Sequence, residues 1–364
     1  VEAEADRFGL DVMTDAGFAP SGMADMFELL EQASRLNDDD QYPWLRDHPL
    51  TIERLAEARL RARSVPPPDP AQSHITEHSL MRARARARMD TSEPALHRMQ
   101  AQARLGSPLT DAERLGVLYG GALASIELRE FAAADALMKD AQDVLAQHAA
   151  IVEQQAHGQF TAPAPASGPQ ARAADAAGMA SVDKPGYVVV AAWQPVYPIE
   201  PEVALDFALL RVEYAIAKGS PSEIAVATKA LDNDRSRPSM LARASAAVAR
   251  SAAHDPSDGA ALQRETEELQ TWVAEHPRDA LAWTLLSQCA EPIGQKLRAI
   301  RAEAESHAAN GDLLGAIDRL HAAQKLTRSE HVDFVEASIV DSRLRQLEAD
   351  RRALGKDLHD ADHP

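Results

Sequence analysis

From Glu202 to about Leu354 the chain repeats one pattern: apolar residues spaced by three and four, interrupted near Gly219, Asp255–Gly259, Glu275–Arg278, Gly311 and Arg328. That spacing gathers apolar side chains on one face of an α-helix, whereas a half-buried strand needs strict alternation. Many inward positions are alanine. Small residues let two antiparallel helices touch closely, and larger apolar residues are then left to stack one hairpin on the next. Residues 300–327 fit this scheme, with Ile300 and Ala304 on a first helix, Gly311-Asp312 at a turn, and Ala316, Leu320 and Ala323 on a second. Residues 118–141 fit it too, through Leu118, Ala122, a turn before Phe131, then Ala134, Met138 and Ala141. Trp283, Leu286 and Ser287, after His276-Pro277, give a further first-helix match only 17 residues before Ile300, half a repeat. Residues 202–231 match loosely. The expected architecture is a tetratricopeptide-like α-solenoid, with an Ala-rich helical bundle as its competitor.

Composition agrees with helices. Apolar residues make up 45% of the 364, enough for a core, but aromatic residues only 4%. Sheets favour aromatic and β-branched side chains. The remainder of the chain reads as helices over 1–16, 21–36, 51–63 and 77–89, and a hairpin over 110–147 broken near Glu127–Glu130. Ala5, Phe8, Val12 and Ala16 share a face of the first helix, and Gly17 stops it. Met23, Met26, Phe27, Leu30 and Ala33 form the stripe of the second. Leu55, Ala58 and Leu60 are expected inward on the third, and Pro66-Pro67-Pro68 ends it. Residues 153–185, rich in Ala, Pro, Gly and Gln, read as a flexible insertion. Tyr187–Trp193 is the one extended-segment signal.

Charge excludes some functions. The net charge is −18 and the pI about 5.1, a poor match to nucleic-acid phosphates. Residues 59–104 run against this, with nine Lys/Arg to four Asp/Glu. Such a stretch can meet an acidic partner or a membrane surface, but a solvated helix face is the simpler expectation. A single cysteine, Cys289, rules out an intrachain disulfide and a cysteine-built zinc site, and its apolar neighbours suggest a small buried hydrophobe. No run of 18 apolar residues or signal peptide is present. The opening Val1-Glu2-Ala3-Glu4-Ala5-Asp6 reads like the middle of a domain.

Those first residues carry the most informative motif. Glu2-Ala3-Glu4-Ala5-Asp6 has the form Glu-x-x-Ala-Asp, and Glu2 and Asp6, four apart on a helix, project from one face. Arg7-Phe8-Gly9, Ala16-Gly17-Phe18-Ala19-Pro20, and His48-Pro49-Leu50-Thr51-Ile52-Glu53-Arg54-Leu55 follow in order. This ordered set resembles the BepA/HtpX-like gluzincin zinc metallopeptidases, closely over about residues 1–90 and in architecture only beyond.

The resemblance implies the C-terminal part of a helical zincin domain followed by the repeat array. It makes Glu2 the third Zn2+ ligand, Asp6 its support, His48 an occupant of the open metal position that holds the enzyme inactive, and Arg54 an active-site neighbour. A catalytic zinc takes three protein ligands and leaves one position for water, so a carboxylate beside two imidazoles is chemically apt. The HExxH that supplies those imidazoles and the general base occurs nowhere in the 364 residues, so no catalytic residue is assigned in this chain. The implied parent is a periplasmic metalloendopeptidase in outer-membrane protein quality control. Its implied partners are protein clients held by the array, and possible outer-membrane assembly machinery. The implied domains are 1–105 (peptidase), 106–150 (hairpin), 151–200 (insertion) and 201–364 (array). The alternative is a non-catalytic scaffold or chaperone-like binding module.

One rival motif exists. His74-Ile75-Thr76-Glu77-His78 matches His-x-x-Glu-His, an inverzincin pattern. It follows a Pro-rich linker, places His74 at a helix start, and lacks an apolar frame. Among 13 histidines, chance accounts for it. His307 falls where the repeat pattern usually has an aromatic, so a packing role is expected.

Overall fold

The computed structural model describes residues 2–35, 52–65, 75–105, 109–157, 198–253, 258–329 and 333–362. Among these residues the regular structure is helical throughout, so the chain is mainly α. The helices are α1 (Glu2–Asp15), α2 (Ser21–Arg35), α3 (Ile52–Ala62), α4 (Ile75–Met89), α5 (Glu93–Arg104), α6 (Asp111–Glu127), α7 (Phe131–Ala156), α8 (Glu202–Lys218), α9 (Pro221–Thr228), α10 (Arg237–Ala252), α11 (Asp258–Glu275), α12 (Ala280–Ala290), α13 (Lys296–Ala309), α14 (Leu313–Ser329) and α15 (Phe334–Asp362). A 3-10 turn, Lys229–Leu231, extends α9. The Tyr187–Trp193 signal, and nearly all of the insertion read at 153–185, lie outside the described residues.

The chain forms two compact units. The first comprises 1–79, 109–115 and 141–200; the second comprises 80–108, 116–140 and 201–364.

In the first unit α1, α2 and α3 enclose Leu10, Met23, Ala24, Phe27 and Ala58, with Met13 and Leu55 at the margin. α1 ends because Gly17 takes a left-handed conformation (φ 81°), which lets the Phe18 amide donate back to the Met13 carbonyl at 2.9 Å. The face chosen on α1 is not the one its widest apolar spacing suggested. Phe8 and Val12 are 60% and 65% exposed, while Leu10 is buried. Likewise Leu60, expected inward, is exposed, and α2 buries Met23, Ala24 and Phe27 while Met26 and Leu30 face out. These short helices carry apolar residues on more than one face, so periodicity alone could not choose among them.

In the second unit each helix from α8 onward packs on the next, and α8–α10, α10–α12 and α13–α15 also touch. Three core clusters follow in chain order. Val212, Ile224, Leu231 and Ala246 form the first. Met240, Leu262, Leu269, Trp283, Leu286 and Cys289 belong to the second. Leu297, Ala304, Ile317, Leu320, Val340 and Leu344 belong to the third. Two breaks add to those expected. Ser236-Arg237-Pro238 starts α10 with proline in its first turn, where a missing N–H costs nothing. Gly294, at φ 79°, separates α12 from α13. Trp283 and Ile300 therefore stand on consecutive helices.

Close approach is visible where α5, α6 and α7 meet. A Cβ on Gly121 of α6 would lie 2.6 Å from the Ala103 Cβ of α5 and 3.2 Å from Leu137 of α7. Among the described residues, no helix is long and apolar enough to cross a membrane.

Candidate functional site

The first turns of α1 bring Glu2 and Asp6 to one face, and α3 brings Arg54 to meet them. The Arg54 Nε donates to Asp6 Oδ2 at 2.8 Å and its Nη2 to Asp6 Oδ1 at 2.7 Å, a two-pronged grip. Its Nη1 donates to Glu2 Oε2 at 3.2 Å. The planar fork of arginine suits this geometry as lysine's point charge does not. The Asp6 hydrogen bond, with the nearby carboxylate charges, raises the Arg54 pKa and keeps the guanidinium protonated. Arg54 and Asp6 side chains are only about a fifth exposed, at 19% and 21%, and Glu2 is more open at 37%.

Three of the four residues that the motif reading singled out thus stand in one cluster, Arg54 lying 48 residues from Asp6 and 52 from Glu2 in sequence. His48 lies outside the described residues. Sequence reasoning missed a fourth participant. The Arg54 Cζ sits 4.9 Å over the ring centroid of Phe27, itself only 4% exposed. Its signal was present in the α2 stripe but read only as packing.

The rival motif falls at the start of α4. His74 is outside the described residues, Glu77 is half-buried, and His78 is exposed. Among the described residues no group of three or more His, Cys, Asp and Glu side chains could hold a metal ion. The cluster contains two carboxylates, Asp6 gripped through both oxygens and Glu2 bonded through Oε2, and Glu2 is the more exposed of them. A carboxylate has about four lone-pair positions and can accept hydrogen bonds while ligating a metal, so this residue type fits one place in a zinc site.

Other polar groups have structural employment. Arg243 is buried and donates to the Leu231 and Asp234 carbonyls at 2.9 and 2.7 Å and to Glu268 at 2.8 Å. Glu265 lies 3.7 Å from it, and burial pushes this carboxyl's pKa up. Cys289 is fully buried, and burial raises its thiol to about 12, so it carries no thiolate chemistry. His307 does more than pack: its Nδ1 pairs with Asp312 Oδ2 at 2.9 Å, and Asp312 also accepts from the Gly315 amide at the start of α14.

No model of a protein family matches the chain. Over 145 residues the chain is 32% identical to a Vibrio cholerae serotype O1 protein named "putative beta-barrel assembly-enhancing protease". The match takes in 38% of this chain and 28% of that protein, so the chain spans little more than a quarter of its relative's length. The relationship is to a protein with a protease name, at the distance those figures give.

Proposed function

We propose that this chain is part of a zinc-dependent metalloendopeptidase, in which Glu2 is the carboxylate ligand and Asp6 and Arg54 set its position. The observation that carries the reading is the Arg54 clamp: one guanidinium from α3 holds both carboxylates of the Glu-x-x-Ala-Asp motif. The distant identity to a protease-named relative supports the peptidase part of the reading. When bound, zinc would lower the pKa of a coordinated water and make it a nucleophile near neutral pH. The chain's own part is to present one ligand in a fixed orientation. Orientation by a neighbouring hydrogen-bonded group is what metal-ligating carboxylates ordinarily require. His48 is assigned the open position, as a brake on activity.

Residues 201–364, with the 106–150 hairpin, are assigned the recruitment of protein clients, as tetratricopeptide-like hairpins. The setting proposed, as the family resemblance implies, is the periplasm, in quality control of outer-membrane proteins. Partners there would be the clients and the outer-membrane assembly machinery.

The test uses the full gene product, which the proposal expects to be a longer protein than these 364 residues. Its zinc content and chelator-sensitive cleavage of casein are measured for wild type and for Glu2→Gln. The proposal expects the variant to lose both. A longer protein without HExxH, or one whose zinc content is unchanged by Glu2→Gln, supports instead a non-catalytic scaffold.

A further inference from the structure

We infer that Phe27 is a positioning residue of this cluster, holding the Arg54 guanidinium in the plane from which it grips Asp6 and reaches Glu2. The inference deepens the proposed zinc-site reading and rests on it for its purpose, but not for its geometry. A guanidinium has five donors, all in its plane, and none on its faces. Three of its nitrogens are committed here, two to Asp6 and one to Glu2. Rotating the group about its last bond would break the fork on Asp6 and swing Nη1 away from Glu2. Something must therefore fix the plane without competing for the donors.

An aromatic ring does this. Its face is negative, so it attracts the cation, and it offers no acceptor that could draw an N–H out of the plane. The 4.9 Å separation between Cζ and ring centroid is within the range of that attraction. The ring is itself immobilised, being packed with Leu10, Met23, Ala24 and Ala58. The chain of influence runs from a core side chain, through a half-buried cation, to the carboxylate that would ligate the metal. An aliphatic residue at position 27 would fill much of the same volume but would offer neither the flat face nor the charge attraction.

The experiment reads the clamp directly in the 364-residue chain. Arginine side chains are labelled with nitrogen-15, and the Arg54 Nε–H signal is followed for chemical shift and for exchange with water. In wild type this proton is expected to be displaced by the ring and slow to exchange, since it is bonded to Asp6. Phe27→Leu and Phe27→Met are expected to remove the displacement and to speed exchange by about tenfold. Phe27→Tyr, which keeps the ring, is expected to restore both. Leu10→Ala serves as a core truncation that should lower thermal stability at least as much while leaving the Arg54 signal in place. An Arg54 signal unaltered by Phe27→Leu, or altered equally by Leu10→Ala, would overturn the inference.

A second arm uses the longer protein and measures zinc affinity by chelator competition. Phe27→Leu is expected to weaken zinc binding several-fold, less than loss of a direct ligand partner. An unchanged affinity alongside a changed Arg54 signal would overturn the step from Arg54 to Glu2. A wild-type longer protein that binds no zinc would sink the proposed function and leave the Arg54 measurement to decide the Phe27 role alone.

Discussion

Arg54 is where sequence and structure meet most directly. Its partners lie on another helix about fifty residues away, and the sequence linked the three only through the family resemblance, which makes Arg54 a neighbour of Glu2 and Asp6. Replacing Arg54 by alanine removes charge-assisted bonds to two carboxylates and leaves like charges facing each other. With the group a fifth exposed, the expected loss is about 1–2 kcal/mol, below the range for fully buried charged bonds, and chemical denaturation of the chain would measure it. Glu265 was not legible at all. Arg243 of α10 packs against it and its Oε2 is buried without a hydrogen-bond partner. Burial raises its folded-state pKa, more than Arg243 lowers it, so the folded form binds its proton more tightly than the unfolded chain does. This group therefore adds stability below the ordinary carboxylate pKa and loses it as pH rises through the raised value. Glu265→Gln should stabilise the chain at neutral pH by about 1 kcal/mol and should make little difference in acid. A melting temperature that falls at neutral pH would show that the Arg243 attraction outweighs burial.

At the scale of elements, the junction of α10, α11 and α12 turns on Asp279. Its carboxylate accepts from the Ala282 amide as the N-cap of α12, from Trp272 Nε1 at 2.9 Å on α11, and from Arg237 Nε and Nη2 at 2.7 and 2.8 Å on α10. The Arg237 hydrogen bond, helped by the other donors, lowers its pKa to about 2. A depressed carboxyl stabilises the fold above its unfolded pKa and loses that contribution as pH falls through the folded one. Asp279→Ala should cost about 2 kcal/mol at neutral pH, combining a lost cap with stranded donors. The gap between variant and wild type should close between about pH 4 and pH 2. Melting curves across that window check the sign; a gap that widens in acid contradicts it. The Gly121 crossing makes the complementary point about packing. Gly121→Ala normally favours a helix, but here the added methyl meets Ala103 at 2.6 Å, so a loss of about 1–3 kcal/mol is expected from the same melts. Most helices were readable because their apolar spacing spans many residues, whereas α5, short and rich in Ala and polar residues, was not read. The choice of buried face on α1 and α3 was not, because Phe8, Val12 and Leu60 satisfy the pattern as well as the residues that won. The breaks before α10 and α13 were overlooked for another reason: Ser236-Arg237-Pro238 and Gly294 are local signals set inside strongly periodic sequence.

Across the whole molecule, the helical character was legible from composition and spacing, while the partition into two units was not. The division depends on which helices share a core, and that is a matter of long-range packing. Function at this scale depends on what the chain itself can supply. Its sequence contains no HExxH, and of the two carboxylates around Arg54 the proposal assigns only Glu2 to the metal. Three protein ligands and a general base are needed to bind a catalytic zinc and activate its water. The 364-residue chain is accordingly expected to leave casein intact in the presence of added zinc. The longer protein is expected to cleave it, and a chelator to stop the cleavage. The comparison also separates the two candidate motifs. If the 364-residue chain alone hydrolyses casein and a chelator abolishes it, the ligands must come from within these residues, and His74, Glu77 and His78 become the site. His78→Ala would then silence the chain while Glu2→Gln would not. If neither protein cleaves casein but the chain retains a basic or polar client protein, the scaffold reading gains and the Arg54 clamp is structural. Casein cleavage confined to the longer protein, lost in Glu2→Gln and retained in His78→Ala, is the pattern that the Glu2 assignment requires.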